Sequence, residues 1–222
     1  MLSNARAVRH RGEGSDPMPG TERFDQAAAT WDGEERRVLL ARGVTEAIVT
    51  RCALPADLDV LDFGCGTGLV SLALRPLVKS VTGVDTSRGM LAVLEKKASE
   101  QGLDGVHAVL VSPDLPLAAP GRFDLVVSSM ALHHVADLAS LFARFRDHLH
   151  PGGRVALADL DLEDGTFHED ASGVLHLGFE RGAFAALLAA AGFVGVEVET
   201  ATVTRKAERA YPVFLATARV RG

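Results

Sequence analysis

The chain has 222 residues, enough for one domain with a full core, and a net charge of −6, which excludes the basic footprint of a protein built around nucleic acid. No apolar run reaches membrane-spanning length. Its two cysteines, Cys52 and Cys65, form neither a disulfide framework nor a CxxC pair, which fits a reducing, cytoplasmic setting.

The first stretch, residues 1–23, is polar, Arg-rich and interrupted by Gly and Pro, and lacks the apolar centre of a secretory signal. It is expected to be a disordered leader, with Met18 an alternative start. "FDQAAATWDGEERRVLLARGVTEAIV" (24–49) has helical spacing, with Val38, Leu39, Val44, Ala47 and Ile48 forming one apolar stripe. "VLDF" (60–63) reads as a buried strand entering a glycine cluster, and "LVSLALRPLV" (69–78) as a helix. "SVTGVD" (80–85) is a strand. "SRGMLAVLEKKASEQG" (87–102) is a helix with Ser87 as N-cap and Gly102 as stop.

Strands follow at 106–111 and 123–130. A helix is predicted over 137–153, ended by Pro-Gly-Gly, then a strand over 154–160 and a helix over 181–193. "VGVEVETATVT" (194–204) and "YPVFLATARV" (211–220) close the chain as an antiparallel hairpin, because no helix separates them. Strands alternating with helices imply right-handed crossovers, a mostly parallel sheet and one α/β domain. Its ligand belongs at the carboxyl ends of the strands, where strand order reverses.

The glycine turn "VLDFGCGTG" carries Gly64, Gly66 and Gly68 between strand and helix. Bare backbone N–H groups at a helix start suit a polar or anionic ligand group. The third glycine comes one residue earlier than in the dinucleotide fingerprint G-x-G-x-x-G. Asp85 ends the next strand, about 20 residues on, where an acid accepts ribose hydroxyls. Ribose recognition is therefore predicted and pyrophosphate recognition disfavoured.

Together, "VLDFGCGTG", "GVDTS", "FDLVVSSMALHHV" and "LHPGGRVALADL" resemble the ordered motifs of class I S-adenosylmethionine-dependent methyltransferases, over about residues 24–220. The resemblance implies a Rossmann-like, doubly wound α/β fold: a seven-stranded, mostly parallel sheet in the order 3-2-1-4-5-7-6, its last strand antiparallel, with helices on both faces. It also implies a single domain over 24–222, with an N-terminal helical lid (24–52) and an acceptor-pocket cover (160–180). S-adenosylmethionine is the implied cofactor and S-adenosylhomocysteine its product.

Asp62 and the loop of Gly64, Cys65, Gly66 and Gly68 would hold the methionine part. Asp85 would hold the ribose, Thr86 and Met90 would flank the adenosine, and Pro113, Asp114 and Leu115 would line the adenine, with Ser129 also at the cofactor. "FDQAAATWD" is similar to the N-terminal helix of the small-molecule branch, where an aromatic-Asp pair caps the cleft. Trp31 and Asp32 match it, and Arg36 or Arg37 offers a guanidinium to the methionine carboxylate or to solvent.

Chemistry is expected at "SSMALHHV", just past the fourth strand, where His133 and His134 are candidates for proton removal near neutral pH. "DLDLEDGTFHED" (159–170) begins at the end of the fifth strand and continues as the acceptor cover. Asp159, Asp161, His168 and His176 are expected to shape the acceptor pocket. Those residues and Glu163 could serve a metal, but no recognised metal signature is present and none is expected. The acceptor is read as a small molecule. Competing readings are a cofactor-binding module without catalysis and a nicotinamide oxidoreductase.

Overall fold

The computed structural model describes residues 21–112, 117, 121–168 and 170–222. The leader call lies outside the described residues except at its end, where Glu22–Ala27 form the first helix, α1. A 3-10 turn, Ala28–Gly33, and α2, Glu35–Arg51, follow. The single helix expected over 24–49 is thus broken into three pieces, and Trp31 and Asp32 fall in the middle one. The break turns the acidic side chains of this segment toward the sheet edge described below.

The sheet is built from β1 (Asp59–Phe63), β2 (Ser80–Asp85), β3 (Val106–Leu110), β4 (Phe123–Ser129), β5 (Leu149–Leu160), β6 (Val194–Lys206) and β7 (Arg209–Arg219). Helices α3 (Leu69–Leu74), α4 (Arg88–Glu100), α5 (Leu138–Asp147) and α6 (Arg181–Ala190) connect them. Its order is β3-β2-β1-β4-β5-β7-β6, with β7 antiparallel to both β5 and β6 and the other pairs parallel. This is the predicted topology. Several boundaries differ: α3 and α6 stop at Leu74 and Ala190, short of the expected 78 and 193, and α5 ends at Asp147, so that the Pro-Gly-Gly segment already belongs to β5. There the β4–β5 register slips between Phe123 and Leu125, so the glycines form a bulge rather than a helix stop.

Period-two alternation decides the core. Leu61, Val126, Val155, Leu157, Phe214 and Ala216 face one layer, against Phe142 and Phe145 of α5 and Phe184 of α6. Their sequence neighbours Val60, Leu125, Val127, Ala156, Ala158, Val213 and Leu215 face the other, against Val44 and Ile48 of α2 and Leu74 of α3. Each large side chain buried this way contributes about 1.5–3 kcal/mol. Because both faces are covered, polar groups gather at the strand ends, and β1, β2, β4 and β5 all bring theirs to one edge.

Candidate active site

Leaving β1, the chain turns at Gly64, Gly66 and Gly68, whose φ angles are 69°, 53° and 82°. The amides of Gly64 and Cys65 donate to the Val84 carbonyl at 2.9 and 3.1 Å, clamping the turn to β2. A Cβ at Gly64 would stand 2.3 Å from the Ala131 Cβ, and one at Gly68 would stand 2.2 Å from Leu94 Cδ1. At Gly66 it would meet nothing within 4 Å, so this is the part of the turn that lies open.

Two carboxylates flank the turn. Asp62, 1% exposed, accepts from the Ser71 hydroxyl at 2.5 Å. Burial pushes its carboxyl up to about 6. Asp85 accepts from the Gly66 amide at 2.8 Å and the Ser87 amide at 2.9 Å. Burial raises its pKa as well, against the lowering effect of those N–H donors. Thr86 is half-buried beside it and Met90 is buried in the first turn of α4. Cys65 is buried against Leu94, and burial raises its thiol well above the usual range. Pro113, Asp114 and Leu115 lie outside the described residues.

The N-terminal segment lies across this turn. Asp32 accepts from the Thr67 hydroxyl at 2.5 Å and from the Lys97 ammonium at 2.6 Å, and Lys97 also donates to the Thr67 carbonyl at 2.8 Å. Asp25 accepts from the Ser87 hydroxyl at 2.6 Å and the Gly89 amide at 2.7 Å, capping α4 from another element. Trp31 and Asp32 had been singled out in the sequence; Asp25 had not, although it shares their acidic, aromatic-flanked pattern seven residues earlier. The Arg37 guanidinium stacks 3.7 Å over the Trp31 ring and pairs with Glu34 at 2.8 Å. Arg36 pairs with Glu34 as well, at 2.6 Å. Both arginines thus meet the Glu34 carboxylate beside Trp31.

Beyond Ser129, half-buried at the end of β4, Met130 adopts a left-handed φ of 58° and leads into the turn Leu132–His134. Left-handed backbone in a bulky residue is strained and needs support from around it. Asp159 supplies that support from the end of β5. One of its oxygens accepts from the Leu132 and His133 amides at 3.0 and 3.2 Å. The other lies 2.8 Å from His133 Nδ1 and also accepts from the Leu160 amide at 2.8 Å. A carboxylate partner assigns the proton to Nδ1 and leaves Nε2 as the basic atom of the His133 ring.

The His134 ring lies 4.1 Å from that of His133, and its Nδ1–H donates to the Gly173 carbonyl at 2.7 Å. Burial, then the charge of His133, pushes it down to about 4. Two lid and cover rings complete the group: Phe24 meets His134 edge-on at 5.5 Å, and His168 lies 4.9 Å from His133. Burial and the charge of His133 push His168 down to about 4 as well.

The cover is clasped to the same turn. The Leu175 and His176 amides both donate to the His133 carbonyl, at 2.9 and 3.2 Å, and His176 Nε2–H donates to the Val135 carbonyl at 2.9 Å. Of the four residues expected to shape an acceptor pocket, His168 and His176 stand beside the histidine pair. Asp159 and Asp161 are both taken up by partners within the fold. Asp159 is 0% exposed beneath His133, its oxygens taken up by that turn. Asp161 is held bidentately by Arg181 of α6, at 2.7 Å for each bond. Alternation along β5 decides this: every acid near a strand end takes the side its position dictates. Among the described residues no three His, Cys, Asp or Glu side chains come together in an arrangement that could hold a metal ion.

A profile of the family described as "Methyltransferase domain" matches residues 31–198. The chain belongs to the class I S-adenosylmethionine-dependent methyltransferases. An uncharacterized methyltransferase of Schizosaccharomyces pombe is 38% identical over 122 residues, 51% of this chain and 42% of that protein. The aklanonic acid methyltransferase of Streptomyces sp. (strain C5) is 31% identical over 153 residues, 66% of this chain and 67% of that one. Among solved structures, an S-adenosylmethionine-dependent methyltransferase from Clostridium acetobutylicum superposes with a TM-score of 0.69 at 17% identity, covering 90% of this chain and 99% of that one. The chain thus spans less than half of the first relative's length and about two thirds of the second's.

The methyltransferase's glycine turn fits its cofactor. S-adenosylmethionine brings an ammonium, a carboxylate and a ribose diol. A carboxyl pushed up by burial, as at Asp62, gains from a cation placed beside it. Asp85 sits at the end of β2 with accepting oxygens, and Gly66 leaves bare backbone beside open space.

Proposed function

We propose that this methyltransferase transfers a methyl group to a small-molecule acceptor, with His133 removing the acceptor's proton. The observation that supports it best is the buried His133–Asp159 pair, 2.8 Å apart, on a turn that packs directly against Gly64. The aklanonic acid methyltransferase, by its name, acts on a small molecule, which agrees with this reading.

Asp62 would hold the methionine ammonium, Asp85 the ribose, and Gly66 the close backbone approach. The bound cofactor supplies an electrophilic methyl on a sulfonium. Everything else falls to the chain. Asp159 fixes the His133 tautomer so that Nε2 faces its proton with a free lone pair, and stabilises the ring once it is charged. His134 and His168, both held near 4, stay neutral at physiological pH and add no positive charge beside a cationic sulfonium. The lid of Phe24, Trp31 and Asp32 excludes water and aligns the reactants, the main protein contribution to an in-line displacement. Two free, buried thiols support a reducing, cytoplasmic setting.

The test is calorimetry with S-adenosylhomocysteine followed by labelling of a metabolite extract with methyl-labelled cofactor. Binding plus transfer to a small-molecule fraction is expected, and His133→Ala should bind S-adenosylhomocysteine normally while losing about 10²–10⁴ in turnover. Full turnover by that variant would remove His133 from the mechanism.

A further inference from the structure

Three buried side-chain atoms among the described residues have no hydrogen-bond partner: Nε of Arg23, Oε1 of Glu163 and Nε2 of His168. Unpaired buried polar atoms are costly and infrequent, so each calls for an explanation. These three come from two segments about 140 residues apart, joined where Arg23 bonds to the loop that holds His168. His168 lies 4.9 Å from the His133 ring and 5.0 Å from the Phe167 ring. Glu163 uses Oε2 to accept from the Thr166 and Phe167 amides, at 2.8 and 3.1 Å, which fixes the loop carrying His168 and leaves Oε1 unused. Arg23 lies 4.6 Å over the Phe24 ring, the ring that meets His134. Its outer nitrogen donates to the Asp170 carbonyl at 3.3 Å, leaving Nε–H unused. Arg23 through Asp170, and Glu163 through Thr166 and Phe167, are thus both tied to the loop that carries His168.

Their hydrogen-bonding capacities differ. Arg23 Nε–H can only donate, a carboxylate Oε1 can only accept, and a neutral imidazole nitrogen does one or the other according to tautomer. A carboxylate or phosphate acceptor would satisfy Arg23 and be repelled by Glu163. An ammonium would do the reverse. Only a group that donates and accepts at neighbouring atoms satisfies both. We propose that Arg23, Glu163 and His168 form the polar wall of the acceptor subsite and select an uncharged acceptor bearing a hydroxyl beside a second oxygen, the hydroxyl donating to Glu163 and the neighbouring oxygen accepting from Arg23. This rests on the methyl-transfer reading above and deepens it to a substrate class. His168 stands on the loop that Arg23 and Glu163 both hold, and the Arg23 guanidinium also faces the Asp170 carboxylate at 3.7 Å.

The probes are catechol, phenol and 1,2-dimethoxybenzene, titrated into the full chain saturated with S-adenosylhomocysteine. Affinities are read by calorimetry, with the His168 ring nitrogens followed by NMR. Catechol should bind about ten- to a hundredfold more tightly than 1,2-dimethoxybenzene, which cannot donate to Glu163, with phenol between them. Catechol should also move the His168 Nε2 resonance. In Glu163→Gln the amide oxygen keeps the two backbone N–H groups and an NH₂ replaces Oε1. Catechol should then weaken while 1,2-dimethoxybenzene gains, an inversion that a merely structural role would not produce. Arg23→Met should weaken both probes alike.

Equal binding of catechol and 1,2-dimethoxybenzene, failure of every probe to bind at 10 mM-scale concentration (on the order of the weakest fragment affinities), or an unchanged preference in Glu163→Gln would overturn the proposal while S-adenosylhomocysteine binding leaves the methyltransferase reading standing. Failure of the unmodified chain to bind S-adenosylhomocysteine would instead overturn the cofactor reading, and this one with it.

Discussion

Asp62→Asn separates two effects that the buried carboxyl combines. Asp62 is 1% exposed, with the Ser71 hydroxyl as its side-chain partner and Asp85 as an acidic neighbour. Its carboxyl stands at about 6 rather than 3.8, chiefly because burial disfavours the charge. The folded protein therefore holds this proton more tightly than the unfolded chain does. Stability from this group is highest below pH 3.8, falls as pH rises toward 6, and stays low above it. The difference corresponds to about 3 kcal/mol of destabilisation at neutral pH.

Asn keeps the shape and an oxygen for Ser71 but never ionises. The cofactor-free variant should therefore be more stable than the parent at pH 7.5 by up to about 3 kcal/mol, or about 6–12 °C in Tm for a chain of this size. The gap should shrink to about 1 kcal/mol by pH 4.5 and vanish only below pH 3.8. Binding should move the opposite way. The variant should lose about 10- to 100-fold in affinity for S-adenosylhomocysteine at pH 7.5, because the ammonium loses a charged partner. In the parent that affinity should fall as pH drops below 6. Thermal unfolding across pH, with calorimetry at each point, reads both. A stability gap unchanged between pH 4.5 and 7.5, or parent-like affinity in the variant, would refute the reasoning.

Asp159→Asn should keep S-adenosylhomocysteine binding and lower turnover, because the amide cannot accept from His133 Nδ1–H while still accepting from the Leu132 and His133 amides; urea unfolding should also show a loss of about 1–3 kcal/mol from the donors left unpaired. Gly66→Ala places its methyl in open space, so its stability cost should be limited to about 1–2 kcal/mol of left-handed strain, yet cofactor affinity should collapse in calorimetry. Gly68→Ala, aimed at Leu94 within the core, should instead unfold at a clearly lower temperature than Gly66→Ala, and equal melting points would contradict the assigned roles of the two glycines.

How much of this was legible beforehand differs by kind of interaction. The strands of the sheet followed from short apolar runs bounded by turn residues, and their order from the family that the motifs resemble; which face each strand residue takes, Leu61 against Val60 or Val155 against Ala156, then follows from the two-residue period. The glycine turn, Asp62, Asp85 and the histidine pair were legible for a similar reason, since each is fixed by its distance from a strand end. The broken N-terminal helix was not, because its helical spacing is real but the segment is bent by partners that spacing does not show: Ser87 and Gly89 for Asp25, Thr67 and Lys97 for Asp32.

The acids of "DLDLEDGTFHED" draw the line most sharply. As sequence they are alike, and composition permitted a metal site, a pocket or a solvated loop. Tertiary structure alone decided that Asp159 holds His133, 26 residues away, that Asp161 pairs with Arg181, and that Glu163 keeps one oxygen unused beside His168. A side chain's local pattern determines which way it points. What it meets there depends on how distant elements dock, and a charge's role is set by that partner.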